Sequence, residues 1–295
     1  MRLIIIFIAE EGVEEAEREL LRMSAPLQNL YNPARLVILR RLLLTDDGNT
    51  GIFRAFTFNN SLRFTVLCRA EPSPEMLGWL ADEIKRTIKA NKMKTVMLWY
   101  SQVDGFTRAL FDQLGGCADP HHFFLLRMQR DAIDTNVDLK GLTAQRCGPE
   151  EINDCIDILE DAFTPFPDAP GSFRGDREGI ASAFLDERGG AALFCEDGNP
   201  VGLYAHLEGH ISQLAVCGKY QGKGYGEAIL RAALKAIRER GSDAELTVDA
   251  SNERALALYR KVGLQTVYES TLVTLPKKKS LFSNRKGGKT PCKKN

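Results

Sequence analysis

The residues best suited to chemistry lie in the run Leu214-Ala-Val-Cys-Gly-Lys-Tyr-Gln-Gly-Lys-Gly-Tyr-Gly226. An apolar, strand-like stretch enters a turn with glycine at 222, 224 and 226. An amphipathic helix pattern follows at once, with Ile229, Ala233 and Ile237 on one face. Glycines at alternate positions leave backbone N–H groups open to close approach. A helix start adds unpaired donors and a partial positive charge. Together these suit a pyrophosphate; alone, such a turn also suits the plain task of starting a helix.

Two familiar phosphate motifs do not fit. The glycine order is G-x-G-x-G rather than G-x-G-x-x-G, and no acidic residue ends a second strand about 20 residues on, as a dinucleotide fold requires. A phosphate loop fails as well, because Ser283 stands where the first glycine belongs ahead of Gly288-Lys289-Thr290. What fits is Gln221-x-x-Gly224-x-Gly226, preceded by Leu214-x-Val216. This pattern resembles the acyl-CoA signature of the GNAT superfamily of N-acetyltransferases. The resemblance covers residues 140–275 or so and includes a second block, Leu246-Thr-Val-Asp-Ala-Ser-Asn252 followed by Ala255, Leu258, Tyr259 and Gly263. There a strand end delivers an Asn, and a helix carries a Tyr seven residues later.

The resemblance implies roles. The strand before the turn should splay from its neighbour, so that acetyl-CoA pairs with backbone exposed at Leu214, Ala215 and Val216, with the Val216 N–H as oxyanion donor. N–H groups across Gln221, Gly222, Lys223, Gly224, Tyr225 and Gly226 should hold the pyrophosphate, Lys223 adding positive charge. Asn252 should help to position the pantetheine arm. Tyr259 should protonate the leaving thiolate, a task suited to a phenol; otherwise it is an ordinary core aromatic beside Leu256, Leu258 and Val262. His210 stands where family members carry a base, with His206, Glu208 or water as alternatives. The acceptor should enter beside 163–173, where Phe163, Phe166 and Phe173 could wall a pocket and Asp168 attract an amine. The implied function is transfer of an acetyl group from acetyl-CoA to a primary amine by direct attack through a tetrahedral intermediate. The alternative is an acyl-CoA-binding sensor or regulatory module with little turnover.

The elements that must position these residues alternate between strand and helix patterns. Strands are expected at 35–44, 52–58, 62–68, 95–99, 123–128, 142–146, 191–195, 201–207, 211–216, 245–248 and 265–275. Helices are expected at 74–90, 105–114, 149–163, 177–187, 226–240 and 253–262. The fold class is α/β, a mixed and mostly antiparallel sheet flanked by helices. An internal echo aligns Thr107-Arg-Ala-Leu-Phe-Asp-Gln-Leu-Gly115 with Ala255-Leu-Ala-Leu-Tyr-Arg-Lys-Val-Gly263, each a helix between two strands. With the resemblance, this implies two tandem acyl-CoA N-acyltransferase-like domains: a degenerate one at 1–134, an acetyl-CoA-binding one at 138–275, and a basic disordered tail at 276–295. Phe111 takes the place of Tyr259 in the first. The prolines and acids of Arg69-Ala-Glu-Pro-Ser-Pro74 replace its glycine turn, removing donors and repelling phosphate. That domain is expected not to bind CoA.

Composition narrows the classes. The chain has 295 residues, 44% of them hydrophobic, enough for a core in each of two domains. Basic and acidic residues balance at 39 each, yet residues 1–275 carry only 31 basic ones because the tail holds eight. A net negative body is a poor nucleic-acid binder; the tail leaves weak RNA or acidic-surface binding as a side possibility. Seven cysteines without a C-x-x-C read as reduced thiols in the cytoplasm. The apolar run 3–8 is too short for a signal peptide and reads as a strand; no stretch approaches the ~20 apolar residues of a membrane span. Cys117, His121 and His122 lack chelating spacing, so no metal is expected. Trp79 and Trp99 read as core.

Overall fold

The computed structural model describes residues 4–6, 37–46, 49–58, 61–68, 73–91, 95–101, 106–163 and 173–275. Phe166, Asp168, the 69–72 stretch and the tail lie outside the described residues, as does the Trp99 side chain. The fold is mixed α/β, with mostly antiparallel sheet flanked by helices, and the chain divides into two compact units.

In the first unit, β1 (Ile4–Ile6), β2 (Val37–Asp46), β3 (Asn49–Phe58) and β4 (Ser61–Cys68) pair antiparallel in sequence order. The two-residue connections from β2 to β3 and from β3 to β4 allow nothing else. Helix α1 (Pro74–Ala90) then crosses over to β5 (Thr95–Ser101), which lies parallel to β4 in register from Ser61–Thr95 to Val66–Tyr100. Helix α2 (Phe106–Leu114) follows. The apolar stripe Met76, Leu80, Ile84 and Ile88 of α1 shares one core with Phe53, Phe64, Leu98 and Leu110, the spacing of a one-sided helix. Trp79 packs at its edge, its ring T-shaped against Phe53 at 6.2 Å. Ser73 Oγ accepts the Met76 N–H at 3.1 Å, and Pro74 opens the helix.

The second unit contains β7 (Thr143–Arg146), α3 (Ile152–Phe163), α4 (Arg177–Phe184), β8 (Gly189–Glu196), β9 (Asn199–Leu207), β10 (His210–Val216), α5 (Tyr225–Glu239), β11 (Ala244–Asp249) and α6 (Glu253–Val262). Strands β7 to β10 form an antiparallel meander. One core joins α5 and α6 to Tyr204, Ile211 and Leu246; another joins α3 and α4 to Leu193, Leu203 and Ala205. Strand β9 thus feeds both cores through the period-two alternation of a strand buried on both faces. Helix α3 starts at Ile152 rather than 149, because Gly148 and Glu151 form a turn in which Glu151 Oε2 accepts the Gly148 N–H at 2.8 Å.

Each unit's last strand comes from the other half of the sequence. In β6 (Ala118–Met128), Phe123–Met128 pair antiparallel with β11; in β12 (Gln265–Thr274), Ser270–Thr274 pair antiparallel with β5. The two compact units are thus each discontinuous in sequence: His122 and Phe123 fall in different units, as do Glu269 and Ser270. Hydrophobic periodicity tells that a strand is buried, not which strand lies beside it.

Candidate functional site

The expected splay is present. Strand β10 meets β11 in parallel only at His210–Glu245 and Ile211–Leu246, after which the ladder ends. Its other edge stays paired to β9 as far as Val216–Gly202. The Cys217 N–H donates to Val201 O at 2.9 Å, on the β9 side. By the alternation of an antiparallel ladder, Ala215 also faces β9, while Leu214 and Val216 turn their backbone groups toward the edge that β11 has left. The register slips between Ile211 and Gln213, so Ser212 is a bulge, with its Oγ 3.3 Å from Ala205 O. Bulges re-aim a strand, and this one lies where the two strands part.

The glycine turn sits at the open end of that gap. Gly222 and Gly224 have φ of +83° and +82°, and Gly224 is the α5 N-cap without any side-chain cap bond. The first helical bond runs from Ala228 N–H to Gly224 O at 3.3 Å. Ahead of it, the N–H groups from Gly222 to Glu227 have no backbone acceptor among the described residues. A Cβ on Gly226 would lie 3.5 Å from Leu258 Cδ2 and 3.9 Å from Val216 Cγ2, so the turn, β10 and α6 meet here. Gln221 fastens the turn to the strand: its Nε2 donates to Val216 O at 3.0 Å, and its Oε1 accepts from Arg254 Nη1 at 2.7 Å. These groups fit an extended arm ending in an anionic phosphate.

The charges around the turn are not arranged as the spacing alone suggests. Lys223 Nζ lies 3.5 Å from Glu196 Oε2, over the rings of Tyr220 and Tyr225. The Tyr225 hydroxyl donates to Glu196 Oε1, which leaves only the backbone of Tyr225 for a ligand. That bond first, and Lys223 second, hold the Glu196 carboxyl below the usual carboxylate range. Glu227, in the first turn of α5, is offset by Lys261 at 2.6 Å and Arg231 at 3.0 Å.

Asn252 caps α6, its Oδ1 accepting the Ala255 N–H at 3.1 Å. Tyr259 packs against the α5–α6 core, and its hydroxyl has no protein partner among the described residues. Burial pushes its pKa up to about 12, so it holds its proton at neutral pH. His210 lies at the closed end of the gap, 4% exposed, with a buried Nδ1 that has no partner among the described residues; burial lowers its pKa to about 4. His206 is also buried, stacked on Tyr204, with its pKa lowered to about 4 by burial and then by Arg240. Glu208 points outward and pairs with Arg188 at 3.3 Å. Phe163 and Phe173 meet at 5.7 Å, and Phe173 is part of the α3–α4 core.

Four contributors escaped the sequence reading: Glu196, Arg254, Asp161 and Lys140, whose Cε lies 3.2 Å from where a Cβ on Gly224 would stand. Asp161 Oδ2 accepts the Gly218 N–H at 2.5 Å, tying α3 to the end of β10. All four come from elements remote in sequence from the contact they make, and no local pattern marks them. Among the described residues no cluster of three metal-ligating side chains occurs, and no helix is long and apolar enough to cross a membrane.

Comparison with known proteins agrees with this geometry. The family described as Acetyltransferase (GNAT) family matches residues 152–264. The N-alpha-acetyltransferase RimI of Mycobacterium tuberculosis is 32% identical over 125 residues, which are 42% of this chain and 73% of that protein. The mycothiol acetyltransferase of Propionibacterium freudenreichii is 26% identical over 138 residues, 43% of this chain but only 44% of that protein. The chain thus spans less than half the length of this second relative. A solved tandem GNAT protein from the clavulanic acid biosynthesis pathway has the same fold, with a TM-score of 0.60 at 13% identity, over 92% of this chain and 97% of that one.

Proposed function

Because the chain belongs to the GNAT family of acetyltransferases, we propose that it moves an acetyl group from acetyl-CoA to a primary amine of a small molecule or peptide. The observation that carries this reading is the ladder that stops at Ile211–Leu246 and opens toward an uncapped glycine turn. The N–H groups from Gly222 to Glu227 hold the pyrophosphate. The open edge of Leu214 and Val216 pairs with the pantetheine arm as a missing strand would.

The amine lone pair attacks the thioester carbonyl, forming a C–N bond and an oxyanion. The N–H groups of Leu214 and Val216 are the backbone donors on that edge. Collapse breaks the C–S bond, and Tyr259 O–H gives its proton to the thiolate. A thiolate formed in the same apolar surroundings has its own proton affinity raised, which matches it to a phenol pushed up to about 12. His210, uncharged at neutral pH, accepts the proton that the amine sheds; Glu208 is engaged elsewhere by Arg188. Asn252 fixes the start of α6 and so the height of Tyr259 against the arm. The first unit serves as a partner fold without its own CoA.

One observation favours the second reading, a CoA-responsive module with little turnover: an imidazole with a pKa of about 4 is a weak base. The test is release of free CoA thiol from acetyl-CoA by the full chain across a panel of amines, alkyl, aryl and peptide N-terminal. Amine-dependent release, abolished in Gly224→Asp, supports transfer. Binding of acetyl-CoA without release for any amine supports the module.

A further inference from the structure

Lys140 stands where its backbone does not favour a lysine. Lys140 and Gly141 have φ of +57° and +82°, and the Leu142 N–H closes a tight turn on Leu139 O at 3.0 Å. Two successive residues with positive φ make a mirror-image turn, whose first central position favours Asn, Asp or Gly. Asp138 Oδ1 holds the turn by accepting the Lys140 N–H at 2.8 Å. A side chain kept against local preference points to a role beyond the turn.

That side chain ends over the glycine turn. A Cβ placed on Gly224 would lie 3.2 Å from Lys140 Cε, 3.5 Å from Cδ and 3.9 Å from Nζ. Among the described residues the Lys140 ammonium has no carboxylate partner, whereas Lys223 is paired with Glu196 and Lys261 with Glu227. The lysine inside the motif is thus countered, and the lysine outside it is not.

We propose that Lys140 is the cation that grips the pyrophosphate of the acyl-CoA donor; this rests on the donor reading given above. The N–H groups left open from Gly222 to Glu227 flank Gly224, and the Lys140 side chain reaches the same residue, so one anionic group is held from the backbone and from a side chain. An ammonium free of a carboxylate gives its full charge to such a contact.

The experiment is calorimetric titration of the full chain with CoA and with dephospho-CoA, for wild type, Lys140→Ala, Lys140→Gly, Lys140→Arg and Lys235→Ala. Lys140→Gly removes the amine while relieving the left-handed backbone, so it keeps the fold. The expected result is affinity about tenfold weaker in the Ala and Gly variants for both ligands, with the difference shrinking as salt rises. Lys140→Arg retains most of the affinity, and Lys235→Ala, whose lysine lies elsewhere on α5, behaves as wild type. A change below twofold in both the Ala and Gly variants overturns the proposal. A loss seen with CoA but not with dephospho-CoA moves Lys140 to the 3′-phosphate and overturns the pyrophosphate assignment. Wild type that binds neither ligand removes the donor reading itself, and this proposal with it.

Discussion

Ile211 and Leu246 form the last rung of the parallel ladder between β10 and β11. Beyond them, the N–H groups of Leu214 and Val216 face an edge with no strand beside it among the described residues, while Ala215 and Cys217 face β9. Amide hydrogen exchange at single-residue resolution should therefore alternate: fast at 214 and 216, slow at 215 and 217. Acetyl-CoA should slow the fast pair. Protection at 214 and 216 in the free protein, or no change with acetyl-CoA, would contradict an arm that pairs with this edge.

Tyr259→Phe removes one hydroxyl from a ring that stays packed. If the phenol protonates the thiolate, kcat should fall roughly a hundredfold with little change in acetyl-CoA affinity. Unchanged turnover would assign the ring to packing alone. Lost affinity together with lost turnover would mean that the hydroxyl binds the donor rather than serving the leaving group.

The two buried histidines make stability depend on pH. Each has a folded pKa of about 4 against an ordinary 6.5, so the unfolded chain binds more protons between those values. Stability is full above pH 6.5 and declines as pH falls toward 4, by roughly 2–3 kcal/mol per histidine. Urea midpoints measured at pH 7.5 and 4.5 test this. His210→Leu should lose part of the pH dependence; an equal decline in the variant would show that His210 does not titrate in this range.

Gly224→Ala should weaken the donor site at both of its levels. The residue has φ of +82°, which a side chain resists, and the new Cβ would press on Lys140 Cε at 3.2 Å. A stability loss of about 1 kcal/mol is expected from the backbone alone, with a larger proportional loss of CoA affinity. Affinity equal to wild type would mean that the turn does not touch the ligand.

Much of this arrangement was legible in the sequence. Helices at Pro74–Ala90 and Glu253–Val262 end where proline, serine, asparagine and glycine dictate, and the Gln221-to-Gly226 spacing marks the turn. What escaped were relations across space. Pairing of β6 with β11 and of β12 with β5 leaves no trace in local periodicity. The Lys223–Glu196 pair joins residues 27 apart in sequence, and that contact changes what Lys223 can offer a phosphate. Lys140 lies in a polar stretch at the start of the expected domain 138–275, and only its left-handed backbone and its reach over Gly224 single it out.

The two units differ at the feature the account depends on. In the first unit, β4 and β5 remain paired from Ser61–Thr95 to Val66–Tyr100, and α1 is capped by Ser73. In the second, the matching ladder opens after Ile211–Leu246 and α5 starts uncapped. Titration of acetyl-CoA into the full chain by calorimetry tests this contrast most directly. One site per chain is expected, lost in Gly224→Asp. Two sites, no site, or a single site that survives Gly224→Asp would contradict it.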